Sequence, residues 1–102
     1  MKKTNTRLDD SHITESCGNI FIDLGFDEAE AQVLTLRVEL MVSIEKHLTA
    51  QGLTQAEAAK RMGITQPRVS KIKRGKWDEF SLDMLLMLAA RLGLRPELKL
   101  AA

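Results

Sequence analysis

Apolar residues recur at helical spacing along the middle of the chain. Between Asp27 and Gly52 they fall three and four residues apart, which is the pattern of one long amphipathic helix. Asp27 suits the N-cap, with Glu30 three residues later, and Gly52 suits a left-handed residue just beyond the C-terminus. The main predicted stripe consists of Val33, Leu36, Leu40, Ile44 and Leu48, and it is widened by Leu34, Val38 and Met41.

Two shorter helices follow, and each begins with its own capping residue. Thr54 and Glu57 form a capping-box sequence, and Gly63 ends the helix that they start. Thr65 then caps the next helix, which has Pro67 in its first turn, where a missing N–H costs little. The segment therefore predicts two short helices joined by a glycine-containing turn.

A last helix is predicted between the capping residue Ser81 and Gly93. We expect Trp77, in the loop before it, to anchor the core between this helix and the preceding one; contact with a binding partner is the alternative. The apolar face of the last helix consists of Leu82, Leu85, Leu86, Ala89 and Leu92.

Both ends of the chain depart from the helical pattern. Residues 1–18 are polar and predict a flexible arm, so the folded domain is expected over 19–102. The apolar stretch 19–26, interrupted by Gly25, predicts an extended segment or turn. Over 94–100 leucines alternate with charged residues, as in a half-buried strand that Pro96 confines to an edge. Two interpretations stay open for this tail: a strand that pairs with a second subunit, or a frayed end.

Composition narrows the class of protein. Helix-forming residues dominate and aromatic residues make up only 4% of the chain, so we expect an all-α fold with an aliphatic core. The single cysteine, Cys17, excludes a disulfide within the chain and suits a reducing compartment. No apolar run is long enough to span a membrane, and the start lacks the apolar stretch of a secretory signal. A cytoplasmic location is therefore expected.

The net charge of +1 hides an asymmetry along the chain. Seven basic residues and no acidic residue fall between Lys60 and Lys76, whereas the rest of the chain holds eight basic and fourteen acidic residues. This basic block points to a polyanionic partner, because an ordinary solvated face mixes both signs. Most of the acid lies between Asp9 and Glu45. It favours either a basic protein partner or repulsion that keeps this half away from the polyanion.

The basic block coincides with the two short helices, and the combination is typical of a helix-turn-helix. Ala58 and Ala59 are small enough for the second helix to approach the first closely. Ile64, Val69 and Ile72 are expected to be buried between them. The polar and basic residues of the second helix then face outward.

These outward residues have the chemistry to bind DNA. Glutamine pairs with both edge atoms of adenine, and Arg or Lys reaches guanine, so Gln66 is the first candidate for a base contact, followed by Arg68 and Lys71. Pro67 offers a surface for a thymine methyl, and Gln55 is expected on a phosphate. The full predicted set is Gln55, Thr65, Gln66, Pro67, Arg68, Ser70, Lys71, Lys73, Arg74 and Lys76, of which the last three are expected to clamp phosphates.

The segment from Leu53 to Lys76 resembles the XRE, or phage-repressor-like, helix-turn-helix proteins. Their pattern is close to Leu-Thr-Gln, two alanines, a glycine and a recognition helix that ends near Gly-Lys. The flanks at 23–26 and 80–83 resemble the HigA-like antitoxins of bacterial toxin–antitoxin pairs. The resemblance implies a lambda-repressor-like bundle of about five helices. The family's contact positions carry over to Gln55, Gln66, Pro67, Arg68 and Lys71, although phage repressors often have a polar residue in place of Pro67.

Proteins of this branch bind operators as dimers and repress their own promoters. The resemblance therefore implies three partners: double-stranded DNA, a second copy of the chain, and a basic RNA-cleaving toxin. A nucleoid-associated, DNA-binding antitoxin is the favoured interpretation. A solitary regulator without a toxin is the alternative, and a protein-interaction module whose basic helix is incidental is the third.

An enzyme is not expected. His12 and His47 have no further His or Cys at metal-ligand spacing, and Cys17 has no basic neighbour in sequence to activate its thiol. We expect no catalytic residue, no cofactor and no metal.

Overall fold

The computed structural model describes residues 10–101, with side chains from Cys17 onward. Over this range the chain forms five α-helices and a short 3₁₀ helix, Trp77–Glu79, and it has no strand. The predicted all-α helix-turn-helix bundle is confirmed. The helices are α1 Asp10–Asp23, α2 Glu28–Ala50, α3 Gln55–Met62, α4 Gln66–Lys73 and α5 Leu82–Arg91.

The predicted capping residues begin four of the helices. Asp27 and Glu30 form a reciprocal capping box at the start of α2, with hydrogen bonds of 2.8 and 3.1 Å. Thr54 and Glu57 do the same for α3. Such a box satisfies two N–H groups that have no partner inside the helix. Thr65 and Ser81 cap α4 and α5 with their hydroxyl oxygens.

The main core lies among α2, α3, α4 and α5. Helix α2 is its centre, since it packs against α1, α4, α5 and the 3₁₀ helix, while α3 packs against α4 and α5. The largest fully buried side chains are Ile44, Leu48, Met62, Val69, Leu85 and Leu88.

Among the helices that the structure describes, none combines the length and the apolar character of a membrane span.

A second cluster holds α1 against the first half of α2. Phe21 is buried there, and its ring meets Phe26 and Trp77 edge to face, at centroid separations of 6.1 and 5.0 Å. Trp77 also packs against the main core. The prediction that Trp77 anchors the core between α4 and α5 is thus incomplete. It left out the contacts of the Trp77 ring with aromatic rings of α1 and of the α1–α2 connection.

The prediction of an extended segment or turn over 19–26 is wrong for most of that stretch. Helix α1 runs to Asp23, and only the residues after it form a turn. The stretch is too short to show helical periodicity, whereas Cys17 and Phe21, four residues apart, both pack toward α2. Helix α1 also takes up residues 10–18 of the expected arm; residues 1–9 lie outside the described residues.

The predicted stripe of α2 is wrong near its N-terminus. Val33 is 41% exposed, whereas Ala31, Leu34 and Thr35 are buried. The reason is that α1 packs on this part of α2, so that Ala31 and Leu34 are buried against Phe21 and Val33 is not. The buried Thr35 hydroxyl donates a 2.7 Å hydrogen bond to the carbonyl of Ala31, so it is not left without a partner.

Residues 94–101 form neither helix nor strand. Leu94 packs against the main core, but Leu98 and Leu100 are 58% and 100% exposed. Pairing of this tail with a second subunit stays a prediction.

Candidate nucleic-acid interface

Helix α4 is fixed in the bundle by two side chains. Val69 and Ile72 are 0% and 2% exposed, and their spacing of three residues puts them on one side of the helix. At the N-terminus, the Thr65 hydroxyl accepts a hydrogen bond from the N–H of Arg68. Pro67 lies in the first turn, as predicted. The opposite side of α4 is thereby held toward solvent.

The turn between α3 and α4 depends on Gly63 and on close packing. Gly63 has φ 71° and ψ 32°, a left-handed conformation that glycine adopts at little cost, and the Ile64 N–H returns to the Ala59 carbonyl at 3.0 Å. Ala58 and Ala59 are buried, as predicted for helices that approach closely. A guanidinium nitrogen of Arg91, from α5, donates a 2.9 Å hydrogen bond to the carbonyl of Met62.

The structure leaves all ten residues predicted to contact DNA accessible to some degree. Three of them are half-buried: Arg68, Ser70 and Lys71. Gln55 and Gln66 are the first residues of α3 and α4, so both lie at helix N-termini, where N–H groups favour anions. Seven are exposed: Gln55, Thr65, Gln66, Pro67, Lys73, Arg74 and Lys76.

Two of the predicted base-reading residues have partners within the chain. The Lys71 ammonium lies 3.0 Å from a carboxylate oxygen of Glu79, in the 3₁₀ helix. Arg68 donates a 3.5 Å hydrogen bond to the backbone carbonyl of Glu79, and its guanidinium carbon lies 4.6 Å from the centre of the Phe80 ring. A cation over an aromatic face at this distance is attracted to the ring. Arg68 and Lys71 are thus directed toward the segment that follows α4.

The electrostatics of Glu79 reflect these neighbours. The hydrogen bond from Lys71 and the positive charge of that ammonium hold the pKa of the Glu79 carboxyl below its ordinary value. The charges of Arg68 and Lys76 lower it further. Glu79 is therefore a carboxylate close to three cations of the basic block, Arg68, Lys71 and Lys76.

Sequence reasoning missed Glu79, Phe80 and Arg91. The signal for Glu79 is the acidic pair at 78–79, which Trp77 alone separates from the basic block and which a count ending at Lys76 leaves out. Nothing in the local pattern links Arg91 to Met62, because the contact joins residues 29 positions apart.

The described residues contain no group of three or more His, Cys, Asp or Glu side chains placed to hold a metal. Cys17 is a free, half-buried thiol. Burial raises the pKa of this thiol, and the negative charge of Glu39 raises it further, which disfavours the reactive thiolate.

Comparison with known families supports the assignment of α3 and α4 as a helix-turn-helix. A family profile described as a helix-turn-helix domain matches residues 20–101, which include the end of α1, all of α2 to α5 and the tail. No curated protein matched the chain.

Proposed function

Because the chain belongs to the helix-turn-helix domain family, we propose that this DNA-binding regulator places α4 in the major groove of a specific operator. The observation that supports this most is the two-sidedness of α4. Val69 and Ile72 are buried, while Gln66 and Pro67 in the first turn are exposed. A rigidly held helix with polar outward residues is what base recognition requires.

In this proposal the exposed and half-buried residues divide between bases and phosphates. Gln66, Arg68 and Lys71 read base edges, and Pro67 contacts a thymine methyl. Phosphates are bound by Gln55 at the start of α3 and by the hydroxyls and cations of the remaining predicted set, namely Thr65, Ser70, Lys73, Arg74 and Lys76.

The base-reading role is tested by Gln66→Ala. The full chain is first used to select its preferred duplex from random sequences, and affinity is then measured for that duplex and for random DNA. Loss of the amide contact should cost roughly 1–3 kcal/mol on the selected duplex and little on random DNA. Gln32→Ala, an exposed glutamine on α2, is the matched control and should change neither. An equal loss on both duplexes would make Gln66 a phosphate contact.

We further propose that the protein is a HigA-like antitoxin that acts as a homodimer, represses its own operon and neutralises a basic RNA-cleaving toxin. Support comes from the N-terminal half, where exposed apolar side chains occur among acidic ones. Ile20, Ile22 and Leu24 are exposed; Asp23 lies between the last two, and Glu28 follows Leu24 by four residues. Such a mixed surface suits a basic protein partner.

A pull-down of tagged protein from its native host tests this finer proposal, with bound DNA and bound protein both identified. A small basic ribonuclease together with DNA from the protein's own promoter is the expected result. Promoter DNA without such a protein would leave a solitary regulator of the same fold.

A further inference from the structure

One carboxylate, that of Glu79, lies beside the cations of α4. Glu79 follows the basic block by three residues, and its side chain is 40% exposed, so it is not a core residue. Its partner Lys71 is 34% exposed in the 3.0 Å ion pair. An acidic group at this place opposes the binding of a polyanion, and its position therefore calls for an explanation beyond solubility.

The carboxylate and the carbonyl of Glu79 engage the two cations that face it from α4. Arg68 and Lys71 are three residues apart and so lie on the same side of the helix. Lys71 is paired with the carboxylate, and Arg68 bonds the backbone carbonyl while it lies over Phe80. To contact a phosphate, Lys71 must exchange one anionic partner for another of similar kind.

We propose that Glu79 is a specificity-determining residue, which withholds Lys71 from the phosphates of arbitrary DNA and so weakens non-specific binding more than operator binding. This inference rests on the proposed function of α4. On random DNA, Lys71 can gain only a phosphate contact. Because it must give up its ion pair with Glu79 to do so, the net gain in binding free energy is small. On the operator a base contact and a fixed register add to that gain, so the exchange becomes favourable.

The test is Glu79→Gln, with affinity measured for a random-sequence duplex and for the selected duplex across a range of salt concentrations. Affinity for the random duplex should rise by up to about fivefold, the range expected from an exposed ion pair. The slope of log affinity against log salt should steepen by about 0.9, because one more phosphate is neutralised. The ratio of specific to random affinity should fall.

Two controls separate this effect from a general change of charge. Asp78→Asn removes the adjacent carboxylate of the same 3₁₀ helix and makes the same change in net charge, but it leaves the Lys71 pair intact. It should raise random-DNA affinity less than Glu79→Gln and should not steepen the slope. In a protein that already carries Lys71→Met, Glu79→Gln should lose most of its effect on random-DNA affinity, because the ion pair that it would break is already absent.

The possible results differ in what they overturn. Unchanged or weaker binding of random DNA by a folded Glu79→Gln variant overturns this inference alone, as does an equal effect of Asp78→Asn. Absence of salt-dependent DNA binding by the unaltered chain overturns the proposed function, and this inference with it. Thermal unfolding of each variant shows that it is folded.

Discussion

The Arg91 guanidinium in α5 donates a 2.9 Å hydrogen bond to the carbonyl of Met62, the last residue of α3. The last carbonyls of a helix have no partner within it, and here a charged donor from another helix supplies one. The bond fixes the end of α3 immediately before the turn that leads to α4. Through it, α5 helps to orient the helix-turn-helix without belonging to it.

Removal of this bond should destabilise the fold. Arg91→Met keeps much of the aliphatic side chain but leaves the Met62 carbonyl without its donor, so we expect a loss of about 1–3 kcal/mol in the free energy of unfolding. Urea unfolding would measure this loss, provided that the slope of the unfolding free energy against urea concentration is the same in both proteins. Arg95→Met, which removes an exposed arginine from the tail, should change stability by less than about 0.5 kcal/mol. Equal stability of the two variants would mean that water replaces the guanidinium.

Two glycines should respond in opposite directions to alanine. Gly63→Ala places a Cβ on a left-handed residue and 3.4 Å from an Arg91 guanidinium nitrogen, so we expect a loss of about 1–2 kcal/mol. Gly18→Ala lies within α1, where the new Cβ meets only the Thr35 hydroxyl at 3.9 Å, and should stabilise by about 0.5–1 kcal/mol. Thermal unfolding of both variants checks the pair. Destabilisation by Gly18→Ala would show that α1 does not tolerate closer contact with α2.

The capping box of α3 should give a defined pH dependence. Hydrogen bonds from the Thr54 backbone and hydroxyl hold the pKa of the Glu57 carboxyl below its ordinary value in the folded chain. The folded state therefore binds this proton less readily than the unfolded state. The stabilisation is fully present above the ordinary pKa, about 4.3, and is lost as the pH falls through the lowered folded value.

Glu57→Gln measures this contribution, because glutamine is the uncharged analogue. The native chain should exceed the variant in free energy of unfolding at pH 7, and the difference should shrink as the pH falls below about 4. Glu97→Gln, in the exposed tail, is the control and should leave unfolding at pH 7 unchanged. A difference that grows toward low pH would contradict the direction assigned to Glu57.

The single tryptophan reports on the contact between α1 and the loop after α4. Phe21→Ala removes the ring 5.0 Å from Trp77 and should cost about 3–5 kcal/mol, because the ring is buried. The emission of Trp77 should shift to longer wavelength as the indole gains access to water. The ring of Phe26 is half-buried, and its centre lies 6.0 Å from that of Trp77. Phe26→Ala should therefore have a smaller effect on the stability and on the emission of Trp77. Unchanged emission in Phe21→Ala would indicate that other residues shield the indole.

Local signals in the sequence predict much of this fold. The capping residues Asp27, Thr54 and Thr65 act within three residues of themselves, so their role is visible without the tertiary structure. The inward positions Val69 and Ile72 are likewise set by helical spacing. These local features located α2 to α5 and the surface of α4.

The features that the sequence did not reveal depend on distant contacts. The burial of Ala31 and Thr35 in α2 is decided by the packing of α1, and the wrong placement of Val33 follows from that packing. The ion pair of Lys71 with Glu79 requires the 3₁₀ helix to lie back against α4. The hydrophobic pattern of the sequence does not predict this placement. The candidate site was therefore predicted as a set of outward residues, but not with the internal partners that restrain two of them.

Helices α3 and α4 contain only eight residues each, fewer than the 12–15 or so that an isolated helix needs to be stable in water. They exist because the rest of the bundle holds their inner sides, whereas the exposed residues of α4 contribute little to that support. In the proposed mode of binding, folding and recognition are therefore carried by different residues of one short helix. On that proposal a lineage can exchange Gln66 or Pro67 and acquire a new target while the bundle persists, so this architecture is open to rapid change of sequence preference.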